Sequence, residues 1–222
     1  MTVMETSEKH TTSTDNEELN LEAIKAAAQQ GDMEAQFQMG DYYRKVARNA
    51  DDEEDKVRAM QECAKWCKKA ASQGHIKSMV ILGEIYECGI GMDKDYGKAA
   101  TWYKKVADEG YITGMSHLAD LYSDEEEFEK AVIWYRIAAE EGDVTGMFRL
   151  ADLYSDEEEF EKAARWFRKA ADKGDADSQY RLAGCYHYGK GVEKDKAEAY
   201  QWYLKAAEQE HPEALRTIQK MR

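Results

Sequence analysis

The chain has 222 residues, 45 of them acidic and 31 basic, for a formal charge of −14. That acid excess repels phosphate backbones and anionic headgroups, which argues against nucleic acid and membrane surfaces as partners. No apolar run approaches the roughly 20 residues of a membrane span and the first residues lack the core of a signal peptide, so a cytoplasmic location is expected.

Residues 1–18 are rich in Thr, Ser, Glu and Asp, too poor in apolar groups to offset the entropy of ordering, and predict a disordered polar leader. A repeat array is expected over 19–222. Residues 20–31 read as a lone helix with Asn20 as N-cap and Gly31 as its stop. Five similar units follow, at about 31–73, 74–109, 110–141, 142–173 and 174–209, with a capping segment at 210–222.

The repeat is anchored by tryptophan. Trp66, Trp102, Trp134, Trp166 and Trp202 stand 36, 32, 32 and 36 residues apart, and a glycine follows each of the first four by eight residues. Self-similarity at this period marks a solenoid of stacked helix pairs. Counting from each glycine, position four of the first helix is small, position eight is Met39 or a leucine, and position twelve is always tyrosine (Tyr43, Tyr86, Tyr122, Tyr154, Tyr186). At about 100° per residue these positions share one packed arc.

The segment between that tyrosine and the next tryptophan varies in length. Two units carry a Gly-x-Gly turn, Gly89 to Gly91 and Gly189 to Gly191; it follows a helix and has acids nearby, which argues against a phosphate loop. Two units shorten it to SDEEEF, where Ser123 with Glu126 and Ser155 with Glu158 have capping-box spacing. The first unit is extended within residues 44–61, which predicts longer helices. Pro212 suits a first helical turn, with Ala214, Leu215 and Ile218 continuing the packed face. Cys63, Cys67, Cys88 and Cys185 have no zinc-site spacing, and within the repeat frame they read as small buried thiols.

The spelling Leu82-Gly83-x-x-Tyr86-x-x-Gly89-x-Gly91-x-x-x-Asp95-x-x-Lys98-Ala99-x-x-Trp102-Tyr103-x-Lys105-Val106-Ala107-x-x-Gly110 resembles the Sel-one-like repeat (SLR), a relative of the tetratricopeptide repeat. Residues 182–207 match it nearly as closely. The resemblance implies an all-α fold, a right-handed superhelical solenoid of antiparallel helix pairs whose first helices line a concave surface. It also implies an adaptor or scaffold role. The shortened units depart from the family pattern, and the absence of cysteine at Ala71, Ala107 and Ala171 sets the chain apart from the disulfide-rich secreted branch.

Positions six, seven and ten of the first helix point away from the packed arc. Position six holds Phe37, Val80, Ser116, Phe148 and Tyr180, position ten Asp41, Glu84, Asp120, Asp152 and Gly184, and position seven Gln38, Ile81, His117, Arg149 and Arg181. An apolar stripe beside acids suits a protein or peptide partner with basic residues and apolar anchors; the other reading is that these aromatics pack against the next repeat. The histidines are scattered with no matched nucleophile or metal set, so neither catalysis nor a metal or cofactor is expected. The expected role is a non-catalytic scaffold or adaptor binding on the concave face. The alternatives are an immunity protein that neutralises a basic toxin, and self-association.

Overall fold

The structure is a computed structural model that describes residues 13–221. It is all helical among those residues, with α1 (Ser13–Gln29), α2 (Met33–Asn49), α3 (Glu53–Ser72), α4 (Ile76–Cys88), α5 (Tyr96–Asp108), α6 (Ile112–Asp124), α7 (Phe128–Glu140), α8 (Val144–Asp156), α9 (Phe160–Asp172), α10 (Ala176–Tyr188), α11 (Lys196–Glu208) and α12 (Pro212–Met221). Connections are three residues long except for the two Gly-x-Gly loops of seven. Links this short bring consecutive helices back alongside one another, the solenoid pattern. The chain divides into two compact units between Lys105 and Val106.

In the first unit α1 covers α2 and α3, with Leu21 and Ile24 against a cluster of Ala28, Ala35, Met39 and Trp66. Residues 1–12 of the expected leader lie outside the described residues. α1 already begins at Ser13, so Asn20 lies inside the helix and is not its N-cap. The sequence from 13 to 19 holds no glycine or proline, so nothing in it stops the helix ahead of Asn20. The extension near residues 44–61 lengthens both members of its pair: α2 has 17 residues and α3 has 20, against 13 in each of α4 to α11.

In the second unit the main core is built from Leu150, Leu153, Leu182, Tyr135, Phe167, Tyr203 and the small Ala119, Ala151 and Ala183. Both units show the same rule of packing. The residue after each tryptophan is the buried one: Cys67 and Tyr103 have no exposed area, and Tyr135, Phe167 and Tyr203 retain at most 5%. It faces the small position-nine residue; a Cβ on Gly83 would lie 2.3 Å from the Tyr103 ring. Of the tryptophans only Trp66 and Trp202 are buried. The other three sit half-exposed; in four of the five copies, buried or not, a lysine three residues on lies across the ring, 3.7 Å from the centroid at Trp166 and Trp202 and 4.2 Å at Trp66 and Trp102.

The glycine stops adopt the left-handed conformation and close reverse-turn bonds, as where Asp175 N–H donates to the Ala170 carbonyl at 3.2 Å beside Gly174 at φ +98°. Glu210 takes the corresponding place in the last copy at φ +62° without being glycine. Pro212 opens α12, and Ala214 and Ile218 are buried, but Leu215 is 41% exposed because the packed stripe of this short helix covers only its other face.

The SDEEEF segments differ from expectation. Ser123 and Ser155 lie in the last turns of α6 and α8, while Glu126 and Glu158 both sit at φ +58°. No capping box forms. The turn is closed instead from Glu127 N–H to the Tyr122 carbonyl and from Glu159 N–H to the Tyr154 carbonyl, each 2.8 Å, which forces the preceding glutamate left-handed. Cys88 also departs from the buried reading: it is exposed at the end of α4, while Cys63 and Cys67 are buried and Cys185 partly so.

Candidate functional site

The first-helix face is best described within each unit. In the first unit Phe37 projects from α2 and packs on His75, ring centroids 4.4 Å apart. Asp41, one turn on, is bound by Arg44 at 2.8 Å and Lys45 at 2.9 Å. Those contacts hold its carboxyl below the usual range against the opposing pull of burial. Val80 and Glu84 on α4 are half-buried.

In the second unit Phe148 leans on Phe167 at 6.0 Å, and Tyr180 lies between Tyr203 at 5.5 Å and His211 at 4.8 Å. Asp152 meets Arg181 at 3.4 Å, yet burial outweighs that charge and pushes its carboxyl up. Asp120 accepts a hydrogen bond from the Tyr135 hydroxyl. Arg149 is exposed and His117 half-buried.

A regularity joins these contacts. In three of the five copies the position-six side chain reaches the residue that caps the next first helix or, at the end, α12: Phe37 touches His75, Ser116 donates to Asp143 at 3.1 Å, and Tyr180 stacks on His211. The stripe therefore packs repeat on repeat along one edge while leaving each side chain partly open. These contacts are the inter-repeat packing that the sequence offered as one of its two readings. The acids beside it are similarly divided, with Asp41, Asp120 and Asp152 each already holding an internal partner.

Two sets of residues escaped the sequence reading. His75 and His211 are N-caps, their Nδ1 atoms accepting from Ser78 and Ala214 N–H at 3.2 Å. With Nδ1 accepting, Nε2 of His211 carries the proton toward Asp177 at 3.0 Å. Buried glutamines form the second set. Gln36 and Gln179 donate back to the Ala28 and Ala171 carbonyls at 3.2 Å, and each accepts from the glutamine that ends its own helix pair, Gln73 at 2.8 Å and Gln209 at 2.9 Å. The sequence signal was available in both: His75 and His211 occupy the slot of Asp143 and Asp175, and Gln36 and Gln179 share position five.

The Sel1 repeat family model matches residues 55–75, 76–111, 114–143, 144–175 and 176–211, more than half of the chain and in the same register as the helix pairs. The chain belongs to the Sel1 repeat family. Among solved structures it is similar to a protective antigen of uropathogenic Escherichia coli with an SLR fold, at 32% identity and TM-score 0.71 over 93% of this chain. The chain spans 44% of that protein's length. A Sel1 repeat protein from Oxalobacter formigenes matches at 25% identity and TM-score 0.65, over 94% of this chain and 87% of its own. YrrB, a tetratricopeptide protein with an unusual peptide-binding site, shares the fold at 18% identity and TM-score 0.57, over 89% and 98% of the two chains. No curated protein matches the sequence. Sel1 repeat proteins generally mediate protein–protein interactions and are generally non-catalytic scaffolds. No helix among the described residues is long and apolar enough to cross a membrane, and no group of three or more metal-ligating side chains occurs there.

Proposed function

We propose that this Sel1 repeat protein is a cytoplasmic, non-catalytic adaptor that binds a protein or peptide on the faces of its first helices, the side expected to be concave. The observation that carries the reading is the partly open row of position-six side chains, Phe37 and Val80 in one unit, Phe148 and Tyr180 in the other, flanked by acids. Apolar anchors of a partner would cover what the repeat contacts leave open, and basic residues would meet Glu84 and the remaining acidic surface. The charge of −14 supports a basic partner and speeds its approach.

Photo-crosslinking tests this on the full chain. A benzoylphenylalanine at Arg149 should capture one partner in cell extract, and one at the exposed second-helix residue Lys169 should not. Equal capture from both positions would overturn the first-helix reading, and a captured basic toxin that loses its activity would turn the adaptor reading into inhibition.

A further inference from the structure

The two loop lengths have different effects on the repeat before them. Each loop closes by the same bond, a backbone N–H donating to the carbonyl of the first-helix tyrosine. In the long loops the pair is Asp95 to Tyr86 at 2.8 Å and Asp195 to Tyr186 at 2.9 Å; in the short ones it is Glu127 to Tyr122 and Glu159 to Tyr154, both 2.8 Å. The long loops therefore carry four more residues inside the same closure.

Those extra residues lie on the preceding second helix, at the first turn of α9 and two turns into the longer α3. A Cβ at Gly191 would fall 2.0 Å from the Phe160 carbonyl oxygen, and one at Gly91 would fall 2.9 Å from the Met60 Cβ. The loop backbone is seated on the helix so closely that only glycine fits. Beside Gly191, the Lys190 ammonium lies 4.8 Å from the centroid of the Phe160 ring. Met60 and Phe160 are half-buried as a result.

Phe128 is the equivalent of both, six residues before its tryptophan, and the loop that would cover it is the shortened one at residues 155–158. It is 41% exposed, and Ile133 beside it 54%. A groove of about 520 Å³ opens there, lined by Phe128, Val132, Ile133, Leu153 and Tyr154. Its rim holds four carboxylates, Glu129, Asp156, Glu157 and Glu159, against the two cations Arg136 and Lys162. Both cations are already engaged, Arg136 with the Tyr154 hydroxyl at 2.8 Å and Lys162 with Glu159.

We propose that this groove is a docking site for a basic Lys-Gly or Arg-Gly turn of a partner protein, which takes the place on Phe128 that Lys190 and Gly191 take on Phe160. The occupant's cation would lie over the Phe128 ring among the four carboxylates, and its glycine would let the backbone rest on the start of α7. The site stands on the α7 and α8 edge and is independent of the first-helix stripe, so either can fail alone.

The test uses the full chain and a fluorescein-labelled peptide, acetyl-Tyr-Gly-Lys-Gly-Val-Lys-amide, at concentrations up to about 1 mM, since so small a ligand binds weakly. Fluorescence anisotropy should report binding that weakens on raising salt from about 0.05 M to about 0.5 M. Phe128→Ser removes an exposed ring and should weaken binding roughly tenfold while leaving the melting transition in place. Replacing both peptide lysines by norleucine should have a similar effect. In a second variant, residues 155–158 are replaced by the sequence of residues 187–194, so that a long loop covers the groove; it should abolish peptide binding and shield Phe128. The proposal is overturned if wild type does not bind the peptide, if Phe128→Ser or the graft binds as wild type does, or if the norleucine peptide binds equally well. A concentration-dependent dimer that the graft abolishes would also overturn it, assigning the groove to a second copy of the chain.

Discussion

Single residues decide where this fold is under strain. Glu126, Glu158 and Glu210 all hold φ near +60°, between +58° and +62°, a conformation in which Cβ crowds the carbonyl and which glycine adopts freely. Glu210 is the clearest case, because its N–H donates to the Ala207 carbonyl at 2.9 Å as the stop glycines do in the other copies. Glu210→Gly should therefore stabilise the second unit by about 1 kcal/mol, the left-handed penalty relieved less the entropy glycine costs. Urea unfolding checks it. A loss of stability would mean that the Glu210 side chain contributes more than its backbone costs.

The next scale is the helix and its joints. The glycine stops and the tryptophan period are local signals, so the helix pairs could be read before any contact was known. The capping boxes were misread because Ser123 and Ser155 carry the right spacing in the wrong place, and only the tyrosine carbonyl bond reveals that they close α6 and α8. The exposed groove was hidden for a related reason: loop shortening is visible at residues 155–158, but its effect falls on Phe128, a repeat earlier. The position-six stripe was visible as a pattern, and its partial burial depends on the next repeat's cap, which no single helix encodes. The glutamine pairs belong to this class too. Gln179 joins the Ala171 carbonyl and the Gln209 amide across a repeat joint and is 5% exposed. Gln179→Leu should cost about 1 to 3 kcal/mol, because the Ala171 carbonyl and the Gln209 amide each lose a bond to it. Its urea midpoint should fall while Gln209→Leu, which leaves the bond from Gln179 to the Ala171 carbonyl in place and whose other partner is the carbonyl of exposed Gly174, costs less. Equal losses would show that the joint is held by its apolar contacts alone.

Across the molecule the charge response is set by buried tyrosines in both units. Burial raises Tyr103 in the first unit and Tyr135 in the second well above the usual phenol range, with help from bonds to Glu87 and Asp120. Burial, with Tyr180 nearby, pushes Tyr203 up to about 12. Below about pH 10 a tyrosine is neutral in both states, so the stability it contributes is complete. Between that value and the folded one, the unfolded chain sheds the proton and the folded chain keeps it, and stability falls as pH rises. A chain already at −14 gains further negative charge over the same range, which adds repulsion throughout. Tyr203→Phe separates the two effects. The ring contacts to Tyr180 and His187 are kept, and only the titrating hydroxyl is lost. Urea midpoints measured from about pH 8 to pH 11 should fall less steeply above pH 10 in this variant than in the wild type. Parallel slopes would mean that Tyr203 titrates alike in the folded and unfolded chain, leaving general repulsion and the other tyrosines to account for alkaline unfolding.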